Sequence, residues 1–226
     1  MIAPKRIEVE KARVVRECPS CGGASCQACL KYCWFIDKMA ETGVPVDYWF
    51  REMRGFYGDQ RFKEAVLRYA GSLEDEYVGG GVLCLVGHRG TGKTMAACGI
   101  LKAAMLDKYT THYTTLVEAV GLLTSREAHV YRRSLKMWDF VVIDEVDQRY
   151  FETPASRSLY GNQFENILRA RAQNRLPLVF CTNSEDIGQI FDGEFGESFS
   201  SLGSQFFRVL RAGGKDARKG EEKHGS

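Results

Sequence analysis

The chain has 226 residues, 44% of them hydrophobic, and 31 Lys and Arg against 29 Asp and Glu give a formal net charge of +2. That is apolar material for one substantial core plus a small appendage, and too little net charge for a polybasic chain, so any nucleic-acid contact has to be local. No apolar run approaches the roughly 18 residues of a membrane helix, and the opening MIAPKRIEVEKARVVRE lacks an apolar leader core, so a soluble, cytoplasmic protein with no membrane partner is expected.

Residues 1–17 mix Lys and Arg with Glu and alternate weakly through Ile7, Val9, Val14 and Val15, a pattern for a short strand or an ordered arm. Five of the eight cysteines follow within residues 18–33. Cys18, Cys21, Cys26 and Cys29 form two CxxC knuckles, each aiming two sulfurs at one point, and Gly22-Gly23 permit the reversal between them. Four thiolates at that spacing suit one structural Zn²⁺, closed to substrate because no coordination position is left open. An iron–sulfur cluster with Cys33 as a spare ligand, and unliganded thiols, are the competing readings. Residues 30–42 read as a helix with Tyr32, Phe35, Ile36 and Met39 on one face, ended by Gly43 and barred by Pro45. Asp59 is placed to cap a second helix through Phe62, Ala65, Val66 and Tyr69, and Gly79-Gly80-Gly81 breaks the chain before the next strand.

Val82-Leu83-Cys84-Leu85-Val86 then runs into Gly87-His88-Arg89-Gly90-Thr91-Gly92-Lys93-Thr94 and a stretch with Ala97, Ile100, Leu101, Ala104 and Met105 at helical spacing. Strand, GxxxxGK[ST] loop and helix are the context of a nucleoside-triphosphate site. The glycines let backbone N–H groups converge on phosphate oxygens, Lys93 adds a point charge, and the Thr94 hydroxyl suits Mg²⁺. The remaining three cysteines, Cys84, Cys98 and Cys181, fall in apolar elements as buried thiols.

A short strand is expected at His112-Tyr-Thr-Thr, then a helix through Val117, Val120 and Leu123, and a basic run with Arg126, Arg132, Arg133 and Lys136. Arg132 and Arg133 are the candidate DNA contacts, against the plainer reading of a solvated face. Phe140-Val-Val-Ile ends in Asp144 and Glu145, and a buried parallel strand delivers such acids to the sheet edge that carries the phosphate loop. Asp144 is then a Mg²⁺-shell ligand and Glu145 the group that polarises water. Thr153-Pro154 starts another helix, with Tyr160, Phe164, Ile167 and Leu168 on its apolar face. A strand over 177–183 ends in Asn183, within reach of a γ-phosphate or its water.

Taken together, GHRGTGKT, VVIDE, the long helix, LVFCTN, FGESFSSLGSQF and GGKDARK resemble an AAA+ ATPase of the DnaC/IstB-like group over about residues 44–219. The resemblance implies an α/β P-loop fold with a five-stranded parallel sheet between helices, ATP with Mg²⁺ as cofactors, and ATP-dependent homo-oligomeric assembly on DNA. It makes Lys93 and Thr94 Walker A, Asp144 and Glu145 Walker B, Asn183 sensor 1, and Arg218 sensor 2. Residues 1–43 then form a cysteine-rich module for docking a partner, and 220–226 a disordered tail. The implied function is loading of a replicative DNA helicase onto single-stranded DNA. A transposase helper and a nucleotide-switched DNA-binding protein with little turnover are the alternatives. Group members often carry arginines before the last strand, whereas residues 196–207 hold none. Arg208 and Arg211 are the nearest substitutes for an arginine finger, if a helix end carries them to an interface.

Overall fold

The computed structural model describes residues 2–184 and 207–214, and the chain divides into two units between Arg51 and Glu52. The first unit opens on a helix, α1 (Pro4–Arg16), where weak alternation suggests a strand or an arm. Pro4 presets the first turn. Glu10, buried, accepts Arg6 at 2.8 Å and Arg13 at 3.0 Å, pairs that only helical spacing brings together. α2 (Gln27–Thr42) starts earlier than the apolar pattern indicates, right after Cys26, and ends at Gly43 in the left-handed region with φ 80°. Its inner face carries Cys29, Ile36 and Met39, while Tyr32 is exposed. Lys11 of α1 pairs with Asp37 of α2 at 2.6 Å. The Trp49 indole donates to the Val44 carbonyl at 2.7 Å and closes the unit below α2.

In the second unit Asp59 caps α3 (Gln60–Gly71), its carboxylate accepting the Arg61 and Phe62 N–H groups. Phe62, Val66 and Tyr69 form the buried face of α3. α4 (Leu73–Gly79) stops at Gly80, whose φ of 64° and closeness to the Arg175 backbone leave no room for a side chain. The sheet comprises β1 (Val82–Val86), β2 (Thr111–Thr115), β3 (Phe140–Asp144), β4 (Leu178–Thr182) and β5 (Phe207–Arg211). Its order is β2-β3-β4-β1-β5 with every pairing parallel. β1, β3 and β4 are buried at all five positions, as their unbroken apolar runs require of central parallel strands.

Successive residues of each strand serve opposite layers. Val82, Cys84, Val141, Ile143 and Phe180 pack on α6 (Leu116–Leu123) and α9 (Asn162–Gln173), while α5 (Lys93–Leu106) lies against the other face. α7 (Ala128–Ser134) leads from α6 towards β3. Thr153 caps the three-residue α8 (Pro154–Ser156), which widens into one π turn over Arg157–Gly161 before α9.

The edge at which the strands begin is closed by Arg171. This fully buried guanidinium of α9 donates to the carbonyls of Leu135 at 3.0 Å, Trp138 at 2.5 Å, Asp139 at 2.7 Å and Pro177. These carbonyls belong to the segments entering β3 and β4, so one side chain satisfies strand starts that burial would otherwise leave unpaired. Burial pulls Arg171 down to about 9, still a cation at neutral pH.

Candidate functional site

All strands run the same way, so their C-terminal ends share one edge. In register there, Val86 stands beside Thr182 on one side and Arg211 on the other, and Thr115 beside Asp144. The loop 87–94 leaves this edge between the two central connections. Gly90 and Gly92 have φ of 81° and 89°, which a glycine adopts without strain. Gly87 has a second reason to be glycine, since a Cβ there would lie 2.4 Å from the Ala212 carbonyl oxygen. Gly92 faces the same limit from the Phe56 ring, 2.2 Å from where its Cβ would be. Gly92 is also the N-cap of the 14-residue helix α5, so the loop ends on a helix N-terminus and its positive dipole. The buried Lys93 ammonium donates to the carbonyls of Gly87 at 2.6 Å and His88 at 2.7 Å, and the Thr91 hydroxyl to His88 at 2.8 Å. The lysine thus reaches back over the mouth of the loop, with the partly buried Thr94 one residue on at the helix start.

Asp144 ends β3 with its carboxylate buried. One oxygen accepts the Tyr113 phenol at 2.7 Å and the other the Glu145 N–H at 2.8 Å. Tyr113 pairs with Val142 in the ladder, so its ring and Asp144, two residues further along β3, share the face covered by α5. Burial, then the Asp144 charge, push the Tyr113 hydroxyl far up, and it stays a neutral donor. Glu145 is exposed with φ 57°, a left-handed conformation uncommon outside glycine, in a turn closed by Asp147 N–H to Glu145 carbonyl at 2.8 Å. Arg89 of the 87–94 loop lies 3.4 Å from the Asp147 carboxylate, linking the two loops. Asn183 follows β4 at the same edge, where the Thr182 carbonyl accepts the Gly87 N–H at 3.3 Å. Hydroxyl and carboxylate oxygens, as Thr94 and Asp144 provide, are the donor set that Mg²⁺ prefers.

In the first unit the sulfurs of Cys18, Cys21, Cys26 and Cys29 all lie within 4.8 Å of one another. Three of the separations are 3.9, 3.5 and 3.8 Å. Tetrahedral Zn–S bonds of about 2.3 Å imply sulfur–sulfur edges of about 3.8 Å, so the group fits a four-thiolate metal site. A backbone hydrogen bond at Ser20, then one from Cys29, lower Cys18 to about 7 and favour its thiolate. Cys33, a turn along α2 from Cys29, is not part of this group. Cys84, Cys98 and Cys181 are buried apart from it, with their thiols pushed up by burial.

One expectation changes. Arg208 is not at a helix end but on β5, level with Leu83, and its guanidinium makes a two-pronged pair with Glu76 of α4 at 2.7 and 2.9 Å over the Tyr69 ring. A neighbour within its own unit already occupies the group suggested as a finger. Arg211 does lie at the loop edge, level with Val86. Arg132 and Arg133 are exposed on α7, which leads to the Arg171-bolted edge rather than the edge that carries the 87–94 loop. Arg218 and residues 196–206 lie outside the described residues. Sequence reasoning missed Tyr113 and Arg171. A tyrosine one strand away from an acid-tipped strand was the available signal for Tyr113, and nothing in the pattern marked Arg171.

No family profile matches the chain, and no curated protein does. Solved structures do match in fold. A structure of DnaI has TM-score 0.59 at 17% identity, covering 76% of this chain and 93% of that one. The DnaC helicase loader has TM-score 0.55 at 18% identity, covering 75% and 100%. Domain III of the Thermotoga maritima replication initiation protein DnaA has TM-score 0.56 at 20% identity, covering 81% and 77%. Longer DnaA structures also match, and the chain spans about half of them, 50% and 55% of their lengths. Among the described residues no helix is long and apolar enough to cross a membrane. The chain therefore shares the fold of these DnaI, DnaC and DnaA structures, a five-stranded parallel sheet with flanking helices, and carries a four-cysteine group in its first unit.

Proposed function

We propose that this protein is an ATP-dependent loader that places a replicative DNA helicase on single-stranded DNA. The carrying observation is one sheet edge that assembles the 87–94 loop, the buried Lys93, Asp144 and Glu145 beside Asn183. A fold match that covers the whole solved chain of a DnaC helicase loader, at 18% identity, supports the loading reading. In this reading Lys93 and the loop N–H groups receive the phosphates, and Thr94 and Asp144 would hold Mg²⁺, which when bound would supply positive charge against the phosphates. Glu145 polarises the attacking water, Asn183 reaches the γ-phosphate, and Arg218 takes the sensor 2 role that the resemblance implies. The four-cysteine module docks the helicase, held in shape by Zn²⁺. Single-stranded DNA is the second partner, as it is in a structure of DnaA bound to AMPPCP and single-stranded DNA. Active protein assembles as an ATP-dependent homo-oligomer, and isolated protein hydrolyses ATP weakly because the charge supplied in trans is then missing.

The test is capture of purified cognate partners. With ATP present the full-length chain should retain the helicase, transfer it to single-stranded DNA, and ignore a transposase offered as rival bait. Retention of the transposase and not the helicase would move the assignment to transposition. Retention of neither, with nucleotide-dependent DNA binding intact, would leave a DNA-binding switch.

A further inference from the structure

The Asp144 carboxylate is unusual in being held from two directions inside the chain. Its second anchor comes from the neighbouring strand β2. β2 is an edge strand paired only with β3 among the described strands, and Tyr113 is its buried aromatic on the α5 face. Standing opposite Val142, the ring extends along the sheet by about two residues, roughly 7 Å, and ends with its hydroxyl 2.7 Å from Asp144 Oδ2. The Glu145 N–H takes Oδ1 at 2.8 Å. With both oxygens engaged, the carboxylate plane cannot turn freely, and the lone pairs left over face away from these two donors. The neighbouring Cys98 and Cys181 add only neutral thiols, raised by burial with the Asp144 charge contributing. Tyr113 is therefore a side-chain donor that fixes one oxygen of this buried carboxylate.

We propose that Tyr113 is a positioning residue for the divalent cation. By fixing the rotation of Asp144, it sets the affinity of the protein–nucleotide complex for Mg²⁺ without touching the nucleotide. The inference rests on the nucleotide-site reading above. Donors that orient a metal-binding carboxylate typically matter by about 10- to 100-fold in metal affinity when removed. Phenylalanine keeps the ring packing on the α5 face and deletes only the hydroxyl.

The experiment uses the full chain with AMPPCP, titrating Mn²⁺ by electron paramagnetic resonance and Mg²⁺ by competition. Nucleotide affinity in EDTA is measured alongside. For Tyr113→Phe the half-saturating metal concentration should rise roughly tenfold or more, with metal-free nucleotide affinity within twofold of wild type. In an Asp144→Asn background, the same Tyr113→Phe change should shift metal affinity less than twofold, because the acceptor through which it acts is altered. A metal curve for Tyr113→Phe that overlays wild type overturns the proposal, as does an equal shift in both backgrounds. Failure of wild type to bind AMPPCP at all would instead overturn the nucleotide-site reading.

Discussion

The two units solve one problem, holding polar functional groups in a fixed arrangement, by different means. The second unit does it with a core: three central strands buried at every position, α5 on one face and α6 and α9 on the other. Its loops are then placed by strand ends rather than by their own contacts. The first unit has few fully buried apolar side chains, among them Ile36, Met39, Val44 and Trp49, and otherwise relies on the Glu10 and Asp37 pairs and the four-cysteine group. A segment of that size buries too little surface to offset its chain entropy without a cross-link. If the four cysteines take up a metal, one unit is organised before its ligand binds and the other by its ligand.

Removing metal gives the largest expected effect. Structural zinc in small domains supplies on the order of 10 kcal/mol or more of folding free energy, beyond what the first unit can replace. Chelation, or Cys29→Ser, should therefore erase hydrogen-exchange protection in α2 while leaving that of β1, β3 and α5 unchanged. Elemental analysis should find one zinc per chain. Iron, an absence of metal under reducing conditions, or protection in α2 that survives chelation would break the contrast between the units.

The nucleotide ligand should behave in the opposite way. Lys93→Ala is expected to lose ATP affinity by roughly 10- to 100-fold, because a charge-assisted contact to phosphate is removed, while circular dichroism and melting stay close to wild type. Glu145→Gln should bind ATP as wild type does and lose hydrolysis, since it organises water rather than phosphate. Calorimetry separates the two variants. Equal ATP binding by Lys93→Ala would end the assignment of the loop, and unfolding of either variant would mean that the edge is not preorganised.

Inside the second unit a buried cation, not a ligand, ties the opposite edge. Arg171→Met fills similar volume but leaves the carbonyls of Leu135, Trp138, Asp139 and Pro177 without their donor. The expected loss is about 3–5 kcal/mol, several unsatisfied buried acceptors at once. In an assembly of this size that is a fall in Tm of roughly 10 °C. A melting temperature within 2–3 °C or so of wild type would show that water or backbone adjustment replaces the guanidinium.

Legibility in the sequence follows the same division. β1, β3 and β4 are unbroken apolar runs ending in Gly87, Asp144 and Asn183, so both strand position and edge chemistry could be read from local pattern. α1 reads as a strand or an arm although Ile7, Val14 and Val15 recur at helical spacing, because Val9 adds a strand-like alternation and the helix buries Glu10 through polar pairs rather than an apolar stripe. β5 is partly exposed, with Arg208 and Arg211 in it, so it lacks the signature of its neighbours. Tyr113 meets Asp144 across 31 residues of sequence and Arg171 meets Leu135 across 36. Such roles arise from register between distant elements, and no spacing rule within one element contains them.

The smallest expected effect concerns Asp59, where one carboxylate performs two tasks. Oδ1 caps α3 through the Arg61 and Phe62 N–H groups, while Oδ2 accepts the Gly213 N–H at 3.1 Å, just past the Ala212 carbonyl that crowds Gly87. The helix-cap hydrogen bond at Phe62, with those at Gly213 and Arg61, holds Asp59 below the usual carboxylate range. A depressed folded-state value means that the stabilisation is fully present above the unfolded value near 3.9, and is lost as pH falls through the folded one. Asp59→Ala should cost about 1 kcal/mol at pH 7, the usual price of an N-cap. Asp59→Asn keeps an oxygen for the cap but turns an amide towards Gly213, so it should cost less, about 0.5 kcal/mol. Both differences from wild type, read from urea midpoints, should begin to shrink below about pH 4, because the unfolded carboxylate then takes up a proton that the folded one resists, and they should vanish once pH falls through the lower folded value. If the wild-type advantage over Asp59→Asn is the same at pH 3.5 as at pH 6, the Gly213 contact does not depend on the charge, and Asp59 is a cap alone.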